Sequence, residues 1–330
     1  LFAVIDYRRR IAVKLTTIID CDPGHDDVMA ILLGGRTTDL RGITTVHGNA
    51  SLAQTTRNAR QVVEFAGLTH VPIAEGMPQP LVRVAQHAPY VHGESGLDGP
   101  TLAPPTVALH PSHAVDFLLE QSASLSELVL LPIGPLTNIA IALKRDPGFA
   151  SRVKQISLMG GSLTFGNVTP AAEFNLWCDP EAAHVVFTSG IPITMIGLNV
   201  THQVLATEPY RRRVRSIGST TATHVADMLD FYSARETAYT GLAGGSMHDP
   251  LAVAALIDPT ILTFEPLHVA VEIHGRDTAG MTLCDGRHLG PDFRALKPRT
   301  RGEAPNANVA VAVDAARFWE LFLDVLATYP

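Results

Sequence analysis

The chain has 330 residues, 46% of them hydrophobic, 17% charged and 6% aromatic, which excludes a disordered chain and a small scaffold that needs disulfides to fold. Its 25 Lys and Arg against 32 Asp and Glu give a formal charge of -7 at pH 7. The basic runs Arg8-Arg9-Arg10 and Arg211-Arg212-Arg213 are too short for a nucleic-acid footprint, and no nucleic-acid partner is expected.

Three dispersed cysteines, Cys21, Cys178 and Cys284, make neither a disulfide framework nor a zinc site and suit a reducing cytoplasm. The most apolar stretch, Leu128 to Leu143, is interrupted by Pro132, Gly134 and Pro135, so no membrane span is expected. Residues 1–13 place apolar residues before arginines, the reverse of a secretory signal, and read as an extension without an assigned role.

From residue 14 onward, short β-branched runs alternate with segments of helical period. Leu15 to Ile19 predicts a buried strand, and Val28 to Leu33 the body of a helix that Gly34 and Gly35 end. Ile43 to Val46 is the next strand, followed by a helix capped by Ser51 and closed at Gly67. The pattern recurs with Leu128 to Ile133 and a helix from Leu136, with Ile156 to Met159, and with a helix over Pro180 to Phe187 before Ile193 to Ile196. Residues 207–257 read as mostly helical. Val269 to Ile273, Met281 to Cys284 and Val309 to Val313 read as a late, antiparallel set of strands, with a closing helix over Ala315 to Ala327. The expected fold is α/β, a single large domain over residues 14–330 with a mostly parallel central sheet flanked by helices.

The sharpest feature is Asp20-Cys21-Asp22-Pro23-Gly24-His25-Asp26-Asp27, four carboxylates where a buried strand turns into a helix. Helix capping explains one or two of them. Four at the carboxyl edge of a parallel sheet repel one another unless a cation neutralises them, and oxygen donors suit Ca²⁺ or Mg²⁺. Pro23 and Gly24 tighten the turn so that Asp22 and Asp27 face a common point.

This segment resembles the Asp-rich fingerprint of the nucleoside hydrolases, specifically the inosine and uridine preferring N-ribohydrolases. Further matches follow in the family's order: Thr44-Thr45-Val46-His47-Gly48-Asn49, His92-Gly93-Glu94-Ser95-Gly96, Gly134-Pro135-Leu136-Thr137-Asn138, Ala172-Glu173-Phe174-Asn175 and Met247-His248-Asp249-Pro250. The resemblance implies one Ca²⁺ held by Asp22, Asp27, the Ile133 carbonyl and Asp249, with Asp20 supporting the turn from behind. It implies Asp22 as the general base for the attacking water and His248 as the acid that assists departure of the base. Asp26, Asn49, Asn167, Glu173 and Asn175 match the ribose-binding positions. Met159 packs beneath the sugar, and His92 contacts the nucleobase or belongs to a lid. Tyr232 and Tyr239, seven residues apart, either line the leaving-group side or belong to an ordinary amphipathic helix.

The implied reaction is hydrolysis of a ribonucleoside such as inosine or uridine to ribose and free base, by a homodimer or homotetramer. Asn199, where relatives often carry Asp, puts one supporting hydrogen bond in question, and Arg276 to Asn308 fits the family poorly. Two other readings stand beside this one. A Mg²⁺ phosphatase of haloacid dehalogenase type also opens on Asp-x-Asp, here Asp20-Cys21-Asp22, although the two further carboxylates would repel a phosphate. A non-catalytic nucleoside or ribose binding module would use the same pocket but needs neither base nor acid.

Overall fold

The computed structural model describes residues 14–287 and 303–330. The extension over residues 1–13 and the part of Arg276 to Asn308 that runs from 288 to 302 lie outside the described residues. In chain order the strands are β1 (Thr16–Cys21), β2 (Asp39–Thr45), β3 (Ile73–Glu75), β4 (Leu128–Pro132), β5 (Val153–Met159), β6 (Ile193–Ile196), β7 (Leu205–Ala206), β8 (Gly245–Ser246), β9 (Leu262–Leu267), β10 (Val269–Val271), β11 (Thr282–Cys284) and β12 (Ala307–Val313).

Eight of them form one sheet in the order β3-β2-β1-β4-β5-β6-β12-β9. All neighbours are parallel except β9, which runs antiparallel to β12 at the edge. The expected α/β fold with a mostly parallel sheet is therefore present.

Alternation along each strand sends side chains to two separate cores, one on each face. Ile19 and Leu131 join the cluster that holds Val28, Leu32, Leu251 and Phe322. Ile18 and Leu130 join the opposite one, with Phe117, Ile139 and Val186. Helices His25–Thr37, Pro250–Ile257 and Ala315–Leu326 thus cover one face, and Ala114–Ser124, Thr137–Arg145 and Pro180–Phe187 the other. Strand order reverses between β1 and β4, and it is outside the carboxyl ends of such a pair that an open α/β sheet leaves a crevice.

Two expectations need correction. The first helix runs on to Thr37, through Gly34 and Gly35. Gly35 serves packing, since a Cβ on it would come within 2.5 Å of Leu68 Cδ1, whereas one on Gly34 would meet the movable end of Ile19 at 3.0 Å. The late strands also do not form one set. β10 and β11 pair antiparallel as a separate ribbon, whereas β12 enters the main sheet parallel to β6. Its other neighbour, β9, carries Pro266 and was missed; a proline that cannot donate is tolerated in an edge strand.

Candidate active site

The crevice holds an open cleft with about 660 Å³ of empty space, lined at its floor by Asp26, Asn49, Ile133, Met159, Glu173 and Asp249. β1 carries Asp20 and is followed directly by Asp22, the turn after it places Asp26 and Asp27 in the first turn of helix His25–Thr37, and Asp249 stands at the N-terminus of Pro250–Ile257. All five carboxyl groups are buried.

Their arrangement is fixed by short-range bonds. Asp27 accepts from the backbone N–H groups of Asp22 (3.2 Å) and Gly24 (2.9 Å), which closes the turn and caps the helix. Asn49 donates its backbone N–H to Asp22 Oδ2 at 2.7 Å and its side-chain amide to Asp27 Oδ2 and the Asp22 carbonyl, both at 3.2 Å. Asp20 points away from the cleft, where Thr44 (2.6 Å) and Asn138 (2.7 Å) donate to its Oδ1. Its Oδ2, like Asp22 Oδ1, is buried without a hydrogen-bond partner.

Carboxylate oxygens of Asp26, Asp27 and Asp249 lie within 4.8 Å of one another. The sequence reading assigned Asp26 to ribose, whereas here it stands in the same acidic trio as the two expected ligands. Burial pushes Asp27 up to about 6. Burial and the Asp27 charge hold Asp22 and Asp26 well above the ordinary carboxylate range. Asp249 is raised by burial and then by Asp26, Asp27 and Asp22.

Asp22 Oδ1 is buried with no hydrogen-bond partner. Glycines make room for this carboxylate: a Cβ on Gly48 would lie 1.9 Å from its Oδ2, and one on Gly134 would lie 2.3 Å from Oδ1. Crowded acids, the unpartnered Asp22 oxygen beside them and an all-oxygen donor set fit a hard divalent cation. The Ile133 carbonyl faces the same cleft and accepts from Asn175 Nδ2 at 2.9 Å, leaving its second lone pair for another partner.

The ribose candidates gather on the β5 side. Glu173 caps the helix Phe174–Cys178, accepting from the N–H groups of Asn175 (2.9 Å), Leu176 (3.2 Å) and Gly161 (2.9 Å), and burial pushes it up to about 7. Asn175 also bonds the Met159 carbonyl at 3.2 Å, and Met159 lies buried at the cleft wall. Asn167 Oδ1 accepts from Phe174 N at 3.0 Å, so its amide N–H₂ is the end left for a ligand.

Asn199 is away from the acids. Its Oδ1 accepts from Leu163 N at 3.3 Å and its Nδ2 donates to the Ala310 carbonyl at 2.8 Å, a bond a carboxylate cannot make. The amide therefore ties the end of β6 to β12.

Above the acids sits a second group of side chains. His248 places Nδ1 2.7 Å from Thr201 Oγ1 and Nε2 3.9 Å from Glu236 Oε1, and burial lowers its ring to about 4. His92 stacks on Tyr232 at 5.6 Å and on His25 at 5.3 Å, with the His25 and His92 Nδ1 atoms 3.0 Å apart. Both tyrosines line the cleft. Tyr232 is buried and donates to the Ser246 carbonyl at 3.0 Å, whereas Tyr239 is exposed at the rim, 5.0 Å from the Tyr90 ring.

Sequence reasoning missed His202, Glu236 and Tyr90, which line the same cleft. Glu236 had a signal: with Tyr232 and Tyr239 it falls at i, i+4 and i+7 of helix Thr220–Thr240 and so shares their face. His202 stands three residues after Asn199. Among the residues lining the cleft there is no Lys or Arg.

A family model described as inosine-uridine preferring nucleoside hydrolase matches residues 17–320. The inosine-uridine preferring nucleoside hydrolase of Crithidia fasciculata is 42% identical over 316 residues, covering 94% of this chain and 96% of that protein. The pyrimidine-specific ribonucleoside hydrolase RihB of Shigella flexneri is 37% identical over 319 residues, covering 96% and 98%. Among solved structures, a purine-preferring ribonucleoside hydrolase from Gardnerella vaginalis superposes with a TM-score of 0.86 at 34% identity, over 95% of this chain and 98% of that one. With this similarity running through the whole sheet and both groups of cleft residues, the chain belongs to the inosine-uridine preferring nucleoside hydrolase family.

Proposed function

We propose that the chain is a Ca²⁺-dependent N-ribohydrolase that cleaves the N-glycosidic bond of ribonucleosides such as inosine and uridine, releasing ribose and the free base. The observation that carries this reading is one cleft with Asp26 and Asp249 in its floor and His248 in its roof, and with the buried Asp22, whose Oδ1 is unpartnered, bonded to Asn49 of that floor. Asp22, Asp27, Asp249 and the Ile133 carbonyl would hold the ion, which when bound supplies positive charge and free coordination positions for oxygen at the floor.

Asp22 Oδ1 is the proton acceptor for the attacking water. The Asn49 N–H on Oδ2 keeps that carboxylate from rotating, and the Asp22 N–H on Asp27 Oδ1 fixes the backbone that carries it. Glu173, Asn175, Asn167 and Asp26 bind the ribose hydroxyls, and their oxygens surround the positive charge that develops on the sugar as the C–N bond stretches. Met159 supplies the apolar surface beneath the ring.

His248 works on the opposite side of the bond. Its ring is neutral near pH 7 before a nucleoside arrives, because burial lowers it to about 4. A Thr201 hydroxyl donating to Nδ1 leaves the hydrogen on Nε2, which faces the cleft as a donor. Negative charge building on the departing base accepts a hydrogen bond from that N–H, and a proton taken up from solvent at Nδ1 as the charge develops lets Nε2 pass its hydrogen to the base and leaves the ring neutral again. His92, Tyr232 and Tyr239 offer stacking and contact surface to the base. The relatives differ in the base they are named for, so the preference of this chain rests on these residues.

A phosphatase is disfavoured, since the cleft carries no Lys or Arg to meet a phosphate. A homodimer or homotetramer in the cytoplasm completes the proposal. Among the described residues no helix is long and apolar enough to cross a membrane.

The test is ribose release from inosine, uridine, cytidine and adenosine, with and without a strong chelator, for the parent, Asp22→Ala and His248→Ala. Expected is release by the parent that the chelator and Asp22→Ala abolish and His248→Ala lowers by about 10²–10⁴-fold. Phosphate release from monophosphates without ribose would establish the phosphatase, and tight nucleoside binding without cleavage the binding module.

A further inference from the structure

We propose that His202, Glu236 and His248 form a second metal site, at the roof of the cleft, that takes Zn²⁺ and blocks turnover. One ring nitrogen from each histidine and one Glu236 oxygen lie within 4.8 Å of one another. Ligands at the 2.0–2.1 Å typical of zinc stand about 3.4 Å apart around a tetrahedral ion. The 3.9 Å between His248 Nε2 and Glu236 Oε1 therefore closes with shifts of about half an ångström.

The supporting bonds are those a metal site needs. Thr201 Oγ1 engages His248 Nδ1 at 2.7 Å, which orients Nε2 toward the centre. Ser246 donates its hydroxyl to Glu236 Oε1 (2.7 Å) and its N–H to Oε2 (2.9 Å), which fixes the carboxylate. His202 is partly exposed on the cleft wall, so an ion has a way in, and the fourth position opens into the cleft.

Two imidazoles and one carboxylate also separate this site chemically from the acids below. The roof offers the borderline donors that late first-row ions prefer, the floor only the hard oxygens that suit Ca²⁺. Zinc on His248 Nε2 removes the hydrogen that this nitrogen would offer the departing base. The inhibition rests on the role proposed for His248; the binding does not.

The experiment uses the Ca²⁺-saturated protein, with Co²⁺ as a visible probe and Zn²⁺ as its competitor. Expected is one Co²⁺ per chain with the intense visible bands of a four- or five-coordinate nitrogen-bearing site, displaced by Zn²⁺. His202→Ala should weaken binding about 100-fold or more and Thr201→Val about 10–100-fold. Zn²⁺ should stop ribose release by the parent, with recovery on adding a zinc-selective chelator. His202→Ala should raise the Zn²⁺ concentration needed by the same factor as its loss of Co²⁺ affinity. Absence of those bands, or bands unchanged in both His202→Ala and Glu236→Gln, would overturn the site. If the Zn²⁺-free parent released no ribose, the proposed function would fail while the Co²⁺ bands still decided the metal site.

Discussion

Gly134→Ala places one methyl group against the single carboxylate oxygen on which the proposed chemistry depends. A Cβ there would lie 2.3 Å from Asp22 Oδ1, 3.0 Å from Cγ and 3.2 Å from the Asp22 backbone nitrogen. A carbon–oxygen contact settles at roughly 3.3 Å or more, so the carboxylate must retreat by about 1 Å. It has little room to do so, because Oδ2 is held at 2.7 Å by Asn49 N and bordered by Gly48 on its other side. A displacement of about 1 Å in a reacting group costs about 100-fold in rate, or about 3 kcal/mol in the barrier. Overpacking costs about 1–3 kcal/mol of stability, which a chain of this size survives. The assay is kcat/KM for ribose release together with a Ca²⁺ titration and a thermal melt. Gly34→Ala serves as the control, since its Cβ would meet the movable end of Ile19 at 3.0 Å and Val253 and Thr38 at ordinary contact distance. Expected is a folded Gly134→Ala protein with kcat/KM down about 100-fold and weakened Ca²⁺ binding, beside a Gly34→Ala protein with parental activity. A folded Gly134→Ala protein within about twofold of the parent in both rate and Ca²⁺ affinity would refute the assignment of Asp22.

Ca²⁺ affinity should fall with acid because the ion must displace protons: Asp27, held at about 6 by burial, alone predicts about a tenfold loss between pH 7 and pH 5. The raised Asp22 and Asp249 make the loss larger, and calorimetric titrations that gave a flat affinity over that range would contradict the acidic site. Glu173→Gln turns one of two accepting oxygens into a donor facing backbone N–H groups, so it should cost about 1–3 kcal/mol in denaturant melts and raise KM. An unchanged KM would remove Glu173 from the ribose contacts. Far from the cleft, Asp258 accepts from Arg317 at 2.7 Å, and burial raises its carboxyl less than Thr260 and Arg317 together lower it. The native carboxyl is thus the stronger acid, and its contribution is complete above the unfolded value near 4 and lost as pH falls through the lower native one. Asp258→Asn should therefore lower stability by about 1.5–3 kcal/mol at pH 7, with the difference shrinking below pH 4 in melts across that range.

The floor of the site was legible because its signal is local. Four acids within eight residues, at the end of a strand whose neighbours are Ile18 and Ile19, cannot all be solvated, and that conflict between charge and burial is visible without a fold. The same holds for the parallel sheet, since β4 is a continuous apolar run and β1 and β6 are short stretches rich in Ile and Thr.

What stayed hidden depended on partners remote in the chain. Gly34 and Gly35 look like a helix end until the fold is seen; then Leu68 presses against Gly35, where the absence of a side chain is a packing requirement. β12 takes its place from hydrogen bonds to β6 and β9, and nothing in its own alternation distinguishes a strand of a small ribbon from one inserted in the main sheet.

The roof shows the same limit most clearly. Helix Thr220–Thr240 has polar residues on its cleft face as well as its solvent face, so its periodicity could not reveal that Glu236 turns inward toward His248. Asn199 is the converse case. As a departure from a family pattern it put one supporting hydrogen bond in question, yet its amide nitrogen donates to Ala310, 111 residues away, where an aspartate would set a carboxylate against a carbonyl. Local charge conflicts thus expose a site's floor from sequence, whereas its roof is readable only after the fold has decided which polar faces meet.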